Sequence, residues 1–307
     1  MRNDLDHLPA NKQRELERVK AIIFEEFEDA LALGTMSWKK KGRIDKFILY
    51  GSYARGGWVD EPHTAKGYRS DFDLLIIVND KRLTDKVDFW AKLDDRLTRE
   101  LAIDKTLHTP VNFIVHTLQE VNDGLAHGRY FFMDVARDGI ALYEYDEKEL
   151  HQPKPKTPEQ ALAMAREYFE EWFPAAFGML ETANFSRESG RLKDAAFLTH
   201  QATERLYHCV LLVCTFYTPH VHNLGFLRTQ AERIDMRLVD AWPRDLKADR
   251  ARFEKLKEAY VKARYSKHYR ISDEDLLWLA GRVEVLGRAV HAICSERIAA
   301  LEQALRR

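Results

Sequence analysis

Phe47-Ile-Leu-Tyr-Gly-Ser-Tyr-Ala-Arg-Gly56 and Ser70-Asp71-Phe72-Asp73-Leu-Leu-Ile-Ile-Val78 are the two stretches that decide how this chain folds. The first is a β-branched and aromatic run that stops at Gly51. Glycine lets backbone approach a ligand with no Cβ in the way. Ser52 adds a hydroxyl, and free N–H groups at a helix start bind phosphate. In the second stretch, residues two apart on a strand share a face, so Asp71 and Asp73 project side by side. The apolar run after them marks a strand covered on both faces. Two carboxylates at its mouth repel each other unless a cation lies between them. Hard oxygen donors with high negative charge suit Mg²⁺ or Mn²⁺. Each piece alone has a plain explanation, since strand–Gly–Ser turns are common and two aspartates at a strand entry can be solvated. On neighbouring strands they make a phosphate-holding turn and a metal-holding pair, which transfer from a nucleoside triphosphate requires.

Working outward, helices and strands alternate around these motifs. Residues 11–33 carry Leu16, Val19, Ile22, Ile23, Phe27 and Leu31 on one helical stripe. Strands are expected at 44–50, 71–78, 110–116 and 140–145, and helices at 83–102 and 118–128. This is an α+β domain with a mixed sheet over residues 1–150.

His151-Gln-Pro-Lys-Pro-Lys156 reads as an extended linker. Directly after it, Thr157 as N-cap, Pro158 at the first helical position and Gln160 three residues past the cap signal a new helix. From there to residue 307 only helical periodicity remains. Helices are expected at 159–180 (kinked or split by Pro174), 192–216, 223–233, 246–262 and 273–304, the last capped by Ser272 with Asp275 three residues on.

Composition narrows the function classes. Forty-eight basic and 49 acidic residues leave a net charge of −1, with no global pull toward nucleic acid or anionic membrane. The three cysteines, Cys209, Cys214 and Cys294, lack CxxC spacing and read as core thiols in a reducing compartment. No stretch approaches the ~18 apolar residues of a membrane span. A cytoplasmic protein with no membrane partner is expected.

The Gly51-Ser52 … Asp71-x-Asp73 signature resembles the DNA polymerase β-type nucleotidyltransferase superfamily over residues 40–145. The resemblance implies Mg²⁺ or Mn²⁺ on Asp71 and Asp73, with ATP the expected nucleotide at Gly51, Ser52, Arg55 and Ser70. Residues 53–70 make a longer connection than minimal members use, with Lys66 and Arg69 as further cations that could reach phosphates. The superfamily places a third carboxylate on a following strand, and here the matching position holds Asn112. Asparagine can coordinate through its carbonyl oxygen but is a poor base. Asp104 or His116 could substitute.

The segments Ala195–Val213 and Tyr260–Tyr269, with His222-Asn-Leu224 between them, resemble the HEPN family of helical bundles over residues 157–305. His200, Gln201, Glu204 and Arg205 form a polar stripe on the first segment. Many HEPN domains are dimeric, and many are metal-independent ribonucleases carrying an arginine, four to six residues, then a histidine. Arg264 and His268 are the matching pair here, with three residues between them; helical spacing of four would put both on one face. Tyr269 is the tyrosine that such a resemblance offers for modification with AMP.

The expected function is metal-dependent transfer of a nucleoside monophosphate to an acceptor hydroxyl on a small molecule or protein, with Asp71, Asp73 and Asn112 at the chemistry. The HEPN domain shapes the acceptor site or a homodimer. The alternatives are a nucleotide sensor, and a HEPN ribonuclease controlled by the head domain, with RNA as a candidate partner.

Overall fold

The computed structural model describes residues 1–32, 36–59, 70–146, 148–219 and 221–306. Lys66 and Arg69 lie outside the described residues. The chain divides into two compact units, residues 1–155 and 156–307.

The first unit runs α1 (Ala10–Ala32), α2 (Ser37–Lys40), β1 (Ile44–Tyr50), α3 (Gly51–Arg55), β2 (Phe72–Val78), a 3₁₀ turn at Lys81–Thr84, α4 (Lys86–Phe89), α5 (Ala91–Ala102), β3 (Val111–Thr117), α6 (Leu118–Ala126), α7 (Tyr130–Asp138) and β4 (Ile140–Glu144). The sheet order is β3-β2-β1-β4. β1 is antiparallel to β2 and β4, and β2 is parallel to β3, so the sheet is mixed. Every residue of β1 and β2 is buried, as strands covered on both faces require. Leu16, Val19, Ile23 and Phe27 of α1 join Leu93 and Leu97 of α5 against Leu49, Phe72, Leu74, Ile76 and Phe113. On the opposite face Tyr50 meets Phe131 of α7 edge to face.

Two expectations fail locally. The helix expected at 83–102 is broken twice: Asp85 caps the start of α4, accepting from the N–H groups of Val87 and Asp88, and Trp90, outside helical geometry at φ −123°, separates α4 from α5. The segment 130–138, unassigned from sequence, is helical; Phe132 and Val135 are buried there, which stabilises a stretch without a side-chain cap.

The second unit is all helical: α8 (Pro158–Glu188), α9 (Leu192–Thr215), α10 (Leu224–Glu232), a 3₁₀ segment at Met236–Ala241, α11 (Lys247–Tyr265) and α12 (Asp273–Leu305). Thr157 and Gln160 close the expected capping box, and Ser272 accepts from the Asp275 amide as expected. Pro174 does not split α8, which runs through it as one element. Ala161, Leu162 and Ala165 before it and Ala176, Leu180 and Ala183 after it are all buried, so packing holds one helix across the missing N–H. α9 is buried almost all round from Ala202 to Val213, which makes it the centre of the bundle. Cys209 and Cys294 are buried, Cys214 is half-buried, and all three are free thiols. Among the described residues, no helix is long and apolar enough to cross a membrane.

Candidate functional sites

At the end of β1 the chain turns sharply. Gly51 has φ 79°, a left-handed conformation that a Cβ would strain. Ser52 follows, its hydroxyl buried with no hydrogen-bond partner among the described residues. Burying a hydroxyl without a partner costs about 1–3 kcal/mol, so such an atom marks a place where a ligand can complete the bonding. α3 is held from the chain start: His7 Nε2 donates to Tyr53 O at 2.8 Å, and Arg2 Nη2 donates to Ala54 O at 3.1 Å. Arg2 also donates to His7 Nδ1 at 3.1 Å, which fixes the imidazole with its proton on Nε2. Arg55 is exposed at the end of this turn.

Tyr50 is the register partner of Asp73 across β1 and β2, and Asp73 pairs in turn with Asn112 on β3. The turn and the acidic pair therefore share one sheet edge. Asp73 is fully buried and Asp71 half-buried. Asn112 Nδ2 donates to Asp71 Oδ2 at 2.8 Å, which brings Asp71, Asp73 and Asn112 to one face. A buried trio fixes the approach to β3. Lys12 Nζ donates to Thr109 Oγ1 at 2.6 Å, while Thr109 donates from its amide and hydroxyl to Glu15 at 2.7 and 2.9 Å.

Ser70, expected to contact nucleotide, also ties down the chain before β2. Its hydroxyl accepts from Val59 N at 2.9 Å and its amide donates to Val59 O at 2.8 Å. His116 lies at the far end of β3 beside Glu120, at 3.5 Å, away from the acidic edge.

The donor set suits a hard divalent cation. Among the described residues, no group of three His, Cys, Asp or Glu side chains is placed to hold a metal. Mg²⁺ needs no such cage, since it is commonly held by one or two carboxylates with water and substrate phosphates completing an octahedron. Two carboxylates and an amide oxygen at the mouth of a strand fit that pattern.

In the helical unit the expected Arg264–His268 pair does not form on one helical face. α11 ends at Tyr265, and exposed His268 sits in the turn beyond, its amide donating to Ser266 Oγ at 3.2 Å. Tyr269 turns inward. It is buried and its hydroxyl donates to Lys255 O at 2.9 Å, while burial pushes the phenol well above its ordinary pKa.

Sequence reasoning singled out His200 and Glu204 but missed the cluster that they enter. His200, Glu204 and His208 recur every four residues on α9, a spacing that puts them on one face. His222, from the segment before α10, adds a third imidazole. Glu204 lies 3.0 Å from His222 Nδ1, 3.6 Å from His208 Nε2 and 3.7 Å from His200 Nδ1. Burial alone would raise the Glu204 carboxyl, but hydrogen bonds from His208 and His222 outweigh it and hold the group ionised. Burial pushes His200 down to about 4, so it is neutral near pH 7.

The two units thus have different architectures, an α+β head with an acidic edge and a helical bundle with a histidine–carboxylate cluster. Residues 169–289 match the model of the HEPN domain, so the helical unit is a HEPN domain. No curated protein matches the chain.

Proposed function

We propose that the N-terminal unit is a nucleotidyltransferase that moves a nucleoside monophosphate from a nucleoside triphosphate to an acceptor hydroxyl. The observation that carries this reading is the Tyr50–Asp73 register, which sets the Gly51-Ser52 turn beside the two carboxylates. Gly51 allows the triphosphate tail close to backbone, and the buried Ser52 hydroxyl donates to it. Arg55, exposed at the same turn, adds positive charge for the leaving pyrophosphate. Asp71 and Asp73 would hold Mg²⁺ or Mn²⁺, which when bound neutralises phosphate oxygens. Asn112 positions Asp71 through its amide and cannot take the acceptor's proton, so that proton passes to solvent or to an aspartate. ATP is the expected nucleotide, and the acceptor is a small molecule or a protein hydroxyl.

The test is incubation of the whole chain with Mg²⁺ and each α-labelled nucleoside triphosphate, with and without candidate acceptors, beside Asp71→Ala/Asp73→Ala. Label should move in the unaltered chain and not in the variant. Saturable nucleotide binding with no label transfer under any condition would replace the enzyme by a sensor.

A second reading, favoured by the match of residues 169–289, is that the helical unit cleaves RNA without metal. Cleavage surviving EDTA in a chain carrying Asp71→Ala/Asp73→Ala would support it.

A further inference from the structure

His222 differs from the other histidines of the Glu204 cluster in its exposure. His200 and His208 have side chains 0% and 9% exposed, whereas that of His222 is 53% exposed. Its Nδ1 lies 3.0 and 3.2 Å from the two Glu204 oxygens. A carboxylate can only accept, so Nδ1 carries the proton and Nε2 is the nitrogen left for a substrate. The ring stacks on Tyr260 of α11, with centroids 4.1 Å apart and planes 18° apart. Arg264, one turn further along α11, lies 4.4 Å from the centre of the same Tyr260 ring. Its Nε donates to Tyr260 O at 2.7 Å, which pins an otherwise exposed guanidinium and leaves its terminal nitrogens for an anion.

We propose that His222, oriented by Glu204, and Arg264 form the acid–base and phosphate-binding pair of an RNA-cleaving site, in place of Arg264 and His268. This rests on the ribonuclease reading of the helical unit and assigns its residues. Glu204 fixes one tautomer and stabilises the imidazolium that forms, the part a buried carboxylate plays toward any catalytic imidazole. His200 and His208 crowd the same carboxylate from α9 and keep it from turning away from His222. Both side chains pack on the Tyr260 ring, His222 by stacking and Arg264 through its guanidinium.

In the reaction, His222 Nε2 takes the proton of a ribose 2′-hydroxyl. The 2′-oxygen attacks the adjacent phosphorus and forms the P–O2′ bond, and Arg264 balances charge on the non-bridging oxygens. The P–O5′ bond breaks, with its electron pair staying on O5′. The proton held on His222 passes to that oxygen directly or through water. The products are a 2′,3′-cyclic phosphate and a 5′-hydroxyl, with no net proton change and no redox partner. DNA, lacking the 2′-hydroxyl, is not cut.

The test uses the full chain in EDTA with 5′-labelled single-stranded RNA and DNA of one sequence. RNA alone should be cut, leaving cyclic phosphate ends. His222→Ala should lose at least about 100-fold in rate, the usual scale of general base catalysis, with added imidazole restoring part of it. Glu204→Gln should lower the rate and shift the pH–rate profile. Arg264→Ala should lower it across the whole pH range, and His268→Ala should leave it unchanged. His222 is exposed, so its loss leaves the bundle folded, which thermal melting checks even if Glu204→Gln unfolds. Cleavage by His222→Ala at the full rate would overturn the assignment while leaving the ribonuclease reading standing. If the unaltered chain cuts no RNA, both fall.

Discussion

Asn112 donates from Nδ2 to Oδ2 of Asp71 across 2.8 Å, reaching from β3 to the entry of β2. A neutral amide thus steadies one member of an acidic pair at the position where a third carboxylate would repel both.

Replacing that amide reverses the situation. Asn112→Asp removes a donor and adds a like charge beside Asp71 and buried Asp73. Without metal the variant should lose about 1–3 kcal/mol of stability. With millimolar Mg²⁺ it should regain more than the unaltered chain does. Thermal melts in EDTA and in Mg²⁺ measure both; equal melts in EDTA would show that the hydrogen bond contributes nothing.

Gly51 sits at φ 79°, a conformation that strains most L side chains. Gly51→Ala should cost about 1–2 kcal/mol from the left-handed conformation alone. On the proposed function nucleotide affinity should fall further than stability does, because the added Cβ would obstruct the approach of phosphate to this turn. Urea unfolding and titration with ATP separate the two effects.

Stability of the helical unit should depend on acid through His200. Burial holds this imidazole at about 4 against an ordinary 6.5. Between those values the unfolded chain binds more protons than the folded one. Stability is therefore full above pH 6.5 and drains as pH falls toward 4, by up to about 3 kcal/mol from this group. Denaturant midpoints taken from pH 7.5 to 4.5 should show the slope, and His200→Gln should flatten it.

Pro174 predicts a gain rather than a loss. It sits inside the 31-residue α8 with buried alanines on either side and removes one helix hydrogen bond. Pro174→Ala should stabilise the bundle by about 1–3 kcal/mol. A denaturant midpoint that stays or drops would mean that the packing across the proline depends on its ring.

Local chemistry made much of this protein legible beforehand. The Thr157 and Ser272 caps, the apolar strands and the spacing of Asp71 and Asp73 are written in neighbours along the chain, and the structure has each element where that spacing puts it. What escaped was tertiary. Nothing near Asn112 in sequence says that its amide meets Asp71, forty-one positions away. The Glu204–His222 contact spans eighteen positions and a change of element, so the helical spacing that marks His200 and His208 gives no sign of His222. The end of α11 was expected at residue 262 and falls three positions later, at Tyr265, because basic and aromatic residues continue past 262 with no glycine or proline to stop the pattern.

Val59 and Ser70 exchange two hydrogen bonds, amide to hydroxyl and amide to carbonyl. Ser70 directly precedes Asp71, so this clasp ties the position of that carboxylate to the stretch of chain that follows the Gly51 turn.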